Sequence, residues 1–181
     1  IWRGQNLPCY DISDTVVISI FDQYSANVGP DMSFCDEDSV KIVANAVSGL
    51  ASAQWVLASS FPNTPRYDSL NSISYVSNMV PGGTYSLVWE GRNGVCPISR
   101  DTLQIINNYV PNASFVESKR ELCEEGEVTF FTVAPSGLPY TVASRNWKIG
   151  SATYSGTPIT HTFNSAGLYD VQYIVSATNG C

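Results

Sequence analysis

Five cysteines are the residues of this chain whose types and spacing point most directly to a chemistry. They are Cys9, Cys35, Cys96, Cys123 and Cys181. Zinc binding is disfavoured because there is no Cys-x-x-Cys pair and His161 is the only histidine. A nucleophilic thiol needs a neighbouring base, and none is evident. The cysteines therefore predict disulfides in an oxidising, extracellular compartment, and their odd number leaves one either as a free thiol or for a partner elsewhere.

The composition excludes two classes of partner. Charged residues make up 14% of the 181 residues, and the formal net charge is -7. Nucleic acids and anionic membrane surfaces bind clustered Lys and Arg, so neither is predicted as a partner. No run of about 18 apolar residues occurs, so no membrane insertion is predicted. Because no initiator Met and no signal peptide are present, we expect the chain to be an internal piece of a longer protein.

The remaining polar candidates do not form a catalytic set. Paired carboxylates, a nucleophile with its base, and metal-ligand spacings are all missing, so we predict no enzymatic activity and a structural role for His161. The acidic stretches 36–38 and 124–127 are the one feature suited to calcium, but they match no EF-hand spacing. We interpret them as solvated turns that discourage edge pairing and predict no cofactor, with calcium as the minor alternative.

The chain repeats itself along its length. Residues 1–15 and 88–102 both fit the pattern apolar-Trp-x-Gly-x-Asn-x-x-Cys-x4-Asp-Thr without a gap. Cys96 follows Cys9 by 87 residues, and Cys181 follows Cys96 by 85. The repeat predicts three segments, which are the closing strand of a preceding module (1–22), a complete first module (23–108) and a second module lacking its last strand (109–181).

Short β-branched runs predict the fold class. They are separated by turn clusters roughly every 8–12 residues and show no 3.6-residue periodicity, which indicates an all-β fold of sandwich modules. The predicted strands are Thr15–Ile20, Val40–Val47, Ala53–Ala58, Thr84–Trp89, Thr102–Ile106, Val128–Val133, Ser144–Ile149, Thr160–Phe163 and Leu168–Ser176.

Aromatic residues on these strands are the predicted core. Trp55 and Trp147 lie on central strands and are expected to pack inside. Tyr85 and Tyr169 occupy repeated Gly-x-Tyr motifs, and we expect their rings to lie inside with each hydroxyl bonded to an adjacent corner. Trp89 and its repeat partner Trp2 either cap a core or form a glycan-stacking platform.

Motifs of the second module are similar to those of a known domain type. Asn146-Trp-Lys-Ile-Gly150, His161-Thr-Phe163 and Gly167-Leu-Tyr169-Asp-Val171 resemble the W-x-F-G-D-G, H-T-Y and G-x-Y-x-V motifs of the polycystic-kidney-disease (PKD) type of Ig-like domain. The Gly-Asp-Gly of that family is absent here. Through Asn27-Val-Gly-Pro-Asp31 and Asn93-Gly-Val-Cys96, the first module resembles the repeats of large Bacteroidetes cell-surface adhesins of the gliding-motility (SprB) type.

The resemblance implies a function outside the cell. It implies tandem Ig-like, PKD-like β-sandwiches that form the stalk or spacer of a secreted cell-surface adhesin, in gliding or in surface attachment. The partners would then be neighbouring repeat modules of the same chain. The alternatives are a module that binds a surface polysaccharide, another glycan or a protein, and an accessory domain of a secreted hydrolase.

Two arguments about disulfide connectivity conflict. If each module closes its own bond, Cys35 pairs with Cys96 and Cys123 pairs with Cys181. In an Ig-like layout, however, Cys35 and Cys123 lie in the turn between the first two strands, at the bottom of a module. Cys96 and Cys181 lie in the turn between the last two strands, at the top. A strand of about eight residues separates these ends by about 26 Å, whereas a disulfide needs Cα atoms within about 7 Å.

If the modules are stacked end to end in a rod, the cysteines can pair differently. The bottom of one module would meet the top of the next, so the topology favours a bond between Cys35 and Cys181 across the junction. Cys9, Cys96 and Cys123 would then have partners in modules outside this chain. The sequence alone leaves both connectivities open.

Overall fold

The computed structural model describes residues 1–4, 12–49, 51–133 and 139–181. All regular secondary structure in these ranges is β, which confirms the predicted fold class. The strands are β1 Trp2–Gly4, β2 Ile12–Asp14, β3 Met32–Cys35, β4 Val40–Val43, β5 Ala51–Phe61, β6 Ile73–Val76, β7 Gly83–Asn93, β8 Ser99–Asn108, β9 Phe115–Glu117, β10 Gly126–Thr132, β11 Val142–Ile149, β12 Ala152–Ser155, β13 Ile159–Phe163 and β14 Val171–Ala177.

The first module is a sandwich of two sheets. One sheet has the strand order β3-β8-β7-β5, and the other pairs β4 with β6. Alternate residues of each strand point inward, so both sheets supply side chains to one core. The larger sheet places Trp55 and Trp89 side by side, with ring centroids 5.1 Å apart, and the smaller sheet covers them with Ile42 and Val76.

The second module is a separate sandwich. Its sheets have the strand orders β13-β10-β9 and β12-β11-β14. Trp147 lies at the centre of the core, 4.4 Å from the ring centroid of Tyr173 and 5.1 Å from that of Phe115. The cores of the two modules share no residue. The chain is therefore built from two Ig-like β-sandwiches in tandem.

The repeat seen in the sequence is reproduced in the strand register. Trp2 pairs with Asp14 between β1 and β2, as Trp89 pairs with Asp101 between β7 and β8. This backbone equivalence aligns residues 12–20 with residues 99–107, the strand that closes the first module.

The predicted strand over residues 15–20 is wrong for the chain as described. β2 ends at Asp14, and no strand extends through the next six residues. Val16 and Ile18 are 75% and 80% exposed. A β-strand needs a neighbouring strand to satisfy its backbone, and no described residue pairs with this segment.

Six short strands were not predicted, namely β1, β2, β3, β6, β9 and β12. Each has three or four residues. β3, β9 and β12 each form beside a longer neighbouring strand rather than through their own propensity, whereas β6 pairs with the equally short β4. β3, for example, exists as the parallel neighbour of β8.

Tyr85 has the predicted corner arrangement. Its ring is fully buried within the first core. Its hydroxyl donates to Oδ1 of Asn63 at 2.7 Å and accepts the backbone N–H of Val80 at 3.0 Å. The hydroxyl therefore closes the turn that leads into β7.

The prediction that Tyr169 is a core residue is wrong, since its side chain is 41% exposed. β14 begins only at Val171, so Tyr169 lies before the strand and outside its inward-facing positions. Its ring packs on Phe163 at a centroid distance of 4.7 Å, and its hydroxyl donates to the carbonyl of Ser165 at 2.9 Å. The inward aromatic of β14 is Tyr173, which pairs with Trp147 as Trp89 pairs with Trp55.

Candidate functional site

The site with a defined chemistry is the junction between the two modules, where Cys35 and Cys181 form a disulfide. Their Cα atoms are 5.7 Å apart, within the range that a disulfide requires. Of the two connectivities left open by the sequence, the structure contains the one that crosses modules. Cys96 and Cys123 are free thiols, and Cys9 lies outside the described residues.

The position of Cys35 is set by the closing strand of its own module. β3 runs parallel to β8, with Cys35 opposite Asn108. The N–H of Asp36 then donates to the carbonyl of Asn108 at 3.0 Å. Asp36 has φ of 57°, in the left-handed region, which turns the chain directly after the cysteine. Cys35 is thus fixed where the first module passes into the linker.

The buried side chain of Asn107 stabilises the same turn, which follows Cys35. It is fully buried at an inward position of β8. Its amide accepts the N–H of Glu37 at 3.0 Å and donates to the carbonyl of Glu37 at 2.6 Å. Sequence reasoning missed this residue, although one signal was present. Asn107 continues the inward alternation of Leu103 and Ile105, and a buried amide at such a position needs partners.

Cys181 is presented by a turn at the end of β14. The N–H of Ala177 donates to the carbonyl of Cys181 at 2.6 Å, and the N–H of Cys181 donates to Oδ1 of Asn179 at 3.1 Å. Gly180 lies between them with φ of 92°, a conformation that side chains disfavour. The repeated Asn-Gly-(x)-Cys motif therefore encodes a turn that holds its cysteine at the end of the module.

The linker 109–114 is anchored to both modules. The ring of Tyr109 packs against Gly82, where no room exists for a Cβ atom. Pro111 is buried. The N–H of Asn112 donates to the hydroxyl of Tyr140 at 2.8 Å, and Oδ1 of Asn112 accepts the N–H of Ser114 at 2.7 Å. The modules are therefore joined at two places, by this short linker and by the disulfide.

We expect Asn107→Ala to lower the free energy of unfolding of the first module. The change leaves the N–H and the carbonyl of Glu37 without their buried partner, which costs about 1–3 kcal/mol. Urea denaturation followed by Trp fluorescence measures the loss. Asn108→Ala is the matched control because the side chain of Asn108 makes only an exposed hydrogen bond to Ser33. Equal losses in the two variants would contradict the role given to Asn107.

The opposite end of the first module has an equivalent turn around Cys96. The N–H of Cys96 donates to the carbonyl of Asn93 at 3.1 Å, and the side-chain amide of Asn93 donates to the carbonyl of Asp22 at 3.1 Å. The Cys96 sulfur lies 3.6 Å from the carbonyl oxygen of Phe21, and the Phe21 ring covers Gly94. The free thiol of Cys96 is therefore placed beside the segment that enters the module.

The aromatic candidates lie in the cores. Trp55, Trp89 and Trp147 are each 1% exposed. The indole N–H of Trp89 donates to the hydroxyl of Tyr24 at 2.7 Å, and that of Trp147 donates to the carbonyl of Gly156 at 2.9 Å. The face of Trp89 is thus closed to a sugar, so the glycan-platform alternative fails for this residue. The side chain of Trp2 is outside the described part of the structure.

His161 packs within a small aromatic group. Its ring meets Phe163 edge-on at a centroid distance of 4.6 Å, and its Nδ1 shares a hydrogen bond with the hydroxyl of Tyr154. No group of three or more His, Cys, Asp or Glu side chains suited to a metal ion occurs among the described residues. No described helix is long and apolar enough to cross a membrane.

Two carboxyl groups near the surface have lowered pKa values. The N–H of Leu70 and the side chain of Asn71 donate to Asp68 and hold the pKa of its carboxyl below the usual range. The hydrogen bond from Arg120 does the same for the pKa of Glu117. Asp68 is exposed, and the Arg120 side chain that pairs with the half-buried Glu117 is 86% exposed, so these interactions order turns and contribute little to stability.

Comparison with known proteins yields no family. No protein-family model and no curated protein matches the chain. Among solved structures, it is similar to domains from titin, at 13% identity and a TM-score of 0.43 over 87% of this chain and 62% of that one. It is also similar to the FN1-FN3 domains of chicken CNTN1, at 11% identity and a TM-score of 0.32 over 84% and 63%. The chain thus spans less than two thirds of either structure. These likenesses carry no argument, and the Ig-like assignment rests on the strand order and cores described above.

Proposed function

We propose that the chain is a structural spacer, a two-module segment of the stalk of a secreted cell-surface protein. The observation that carries the proposal is the disulfide between Cys35 and Cys181, which joins one module to the next rather than closing either module. Disulfides persist in oxidising compartments, which is compatible with an extracellular location. An adhesin is the kind of surface protein that needs such a stalk, for attachment or for gliding.

The physical argument concerns bending at the junction. A single six-residue linker permits rotation between two domains unless the interface between them is large. A second covalent connection removes most of that freedom, because the modules are then held by two connections instead of one. Here the linker leaves β8 at Asn108, and the disulfide leaves β3 at Cys35, on the neighbouring strand. The two modules would then move together as one rod, so that a force applied at one end reaches the other.

The proposed role needs no catalytic step, no metal and no cofactor. Its partners are the neighbouring modules of the same chain. A surface polysaccharide or another glycan would be bound elsewhere on the adhesin.

Residual dipolar couplings of the chain test the spacer role. We expect a single alignment tensor to fit the backbone amides of both modules when the disulfide is intact. The double variant Cys35→Ser, Cys181→Ser should need two tensors of different magnitude, because only the linker remains. Cys123→Ser is the matched control, since it removes a free thiol and leaves the junction unchanged.

Two outcomes would count against the spacer role. If the native chain already requires two tensors, the junction is a hinge. If the double variant still fits one tensor, the disulfide is not what orients the modules.

A further inference from the structure

The disulfide at the junction divides the backbone into a closed loop and the segments outside that loop. Cys35 and Cys181 are separated by 146 positions, yet their Cα atoms are 5.7 Å apart. Strands β4 to β14 all lie inside the loop. The buried residues of both cores, with the exception of Val28, therefore belong to a stretch of chain whose two ends are joined covalently.

The loop decides where a pulling force runs through the chain. When the chain is pulled from a point before Cys35 and from a point at or after Cys181, tension follows the short covalent path through the two sulfur atoms. Residues 36–180 lie outside that path and carry no tension, whatever length of chain precedes or follows the loop. Without the bond, the same pull would run through both modules in series.

One segment of the first module remains in the force path, namely residues 26–35, which lie parallel to β8. The contacts between this entry segment and β8 share a single sequence offset of 73 positions. They are the hydrogen bond from the N–H of Ala26 to Oγ of Ser99 at 3.0 Å, that from the N–H of Val28 to Oδ2 of Asp101 at 2.9 Å, that from the N–H of Gln104 to Oδ1 of Asp31 at 2.9 Å, and the pairing of β3 from Met32 opposite Ile105 to Cys35 opposite Asn108.

The constant offset means that the entry segment has no slack. From Ala26 opposite Ser99 to Cys35 opposite Asn108, it covers β8 residue for residue. At about 3.3 Å per residue, this length is about 30 Å, which is that of a strand. Pulling the ends of the segment apart therefore gains little length, even if its hydrogen bonds to β8 break.

We infer that the bond between Cys35 and Cys181 makes the chain inextensible under tension. The pull passes from the entry segment directly to Cys181, and both sandwiches lie outside the force path. A stalk built in this way keeps its length under load, and unfolding of either module does not lengthen it. This property goes beyond the spacer role, because modules with a fixed orientation can still lengthen under load, and modules joined by a hinge can still be inextensible.

The length at stake is large compared with the folded modules. At about 3.5 Å per residue, a fully stretched loop of 146 positions spans about 500 Å. With the bond intact, only the residues before Ala26 can lengthen, by at most about 90 Å.

Optical-tweezers stretching of the whole chain, held by non-cysteine tags at its two termini, tests the inference. Every chain carries Cys9→Ser, Cys96→Ser and Cys123→Ser, so the junction bond is the only disulfide that can form. The load is raised until no chain lengthens further. We expect the chain with the bond to gain no more than about 90 Å. The variant that also carries Cys35→Ser and Cys181→Ser should gain about 500 Å more, whether or not its modules are folded at the start.

A second attachment point in the chain with the intact bond is the matched control. Val110 lies in the linker, inside the loop, and is 50% exposed. When the second tag is attached to p-azidophenylalanine at this position, both arms of the loop enter the force path. We expect a gain of about 250 Å, set by the shorter arm from position 110 to Cys181.

Two results would overturn the inference. If the chain with the bond gains several hundred ångströms between its termini, the modules lie in the force path. If the serine variant, or the chain held at position 110, gains no more than the chain with the bond, the modules resist the load by themselves and the bond does not protect them. Failure of the spacer role in the alignment experiment leaves these lengths unchanged, so the two proposals fail separately.

Discussion

Replacing Cys35 and Cys181 together by serine is expected to lower the summed free energy of unfolding of the two modules by about 5 kcal/mol. The bond joins residues separated by 146 positions. In the chain-entropy description, a disulfide that closes a loop of this length restricts the unfolded chain by slightly more than the about 4.7 kcal/mol of a 100-residue loop. Urea denaturation monitored by Trp fluorescence measures the change, because both modules carry buried indoles.

The control for this experiment is Cys123→Ser. It removes a thiol that is exposed and unbonded, so we expect a change within about 0.5 kcal/mol, as is usual for surface substitutions. If the double serine variant is as stable as this control, the cross-module bond does not stabilise the folded chain.

Trp147→Ala is expected to destabilise the second module by about 3–5 kcal/mol and to leave the first intact. Its indole is 1% exposed and lies against Phe115, Phe130 and Tyr173. Removing it opens a cavity at the centre of a core that shares no side chain with the other module. Hydrogen exchange should therefore lose protection over β10 to β14 and keep it over β5, β7 and β8.

The equivalent substitution in the first module is expected to reverse this pattern of hydrogen-exchange protection. Trp55 holds the equivalent position in the first core, 5.1 Å from the ring of Trp89. Trp55→Ala should remove protection from β5, β7 and β8 and retain it over β10 to β14. Loss of protection throughout the chain in both variants would show one cooperative unit rather than two modules.

The sequence predicted the features that depend on local pattern. Alternating β-branched runs and closely spaced turn residues were sufficient for the all-β class. The repeat of Trp, Asn-Gly and Cys located the turns that present Cys96 and Cys181, because an Asn-Gly turn encodes its own geometry.

The features that were missed depend on pairing partners. Residues 15–20 have the composition of a strand, yet they form no strand and are exposed, because a strand exists only beside another. The burial of Tyr173 in place of Tyr169 depends on where β14 begins, which the Gly-x-Tyr motif does not fix. Asn107 is needed because its side chain bonds the turn at Glu37, which lies seventy residues earlier in the chain and folds against β8.

The central claim is that one disulfide crosses the junction, and peptide mapping of the non-reduced monomer tests it most directly. Digestion with trypsin and an Asp-specific protease separates Cys9 from Cys35, because several aspartates lie between them. We predict a linked pair of peptides that contain Cys35 and Cys181, with Cys96 and Cys123 recovered as free thiols. A linked pair containing Cys35 and Cys96, or Cys123 and Cys181, would contradict the locked junction, because each module would then close its own bond.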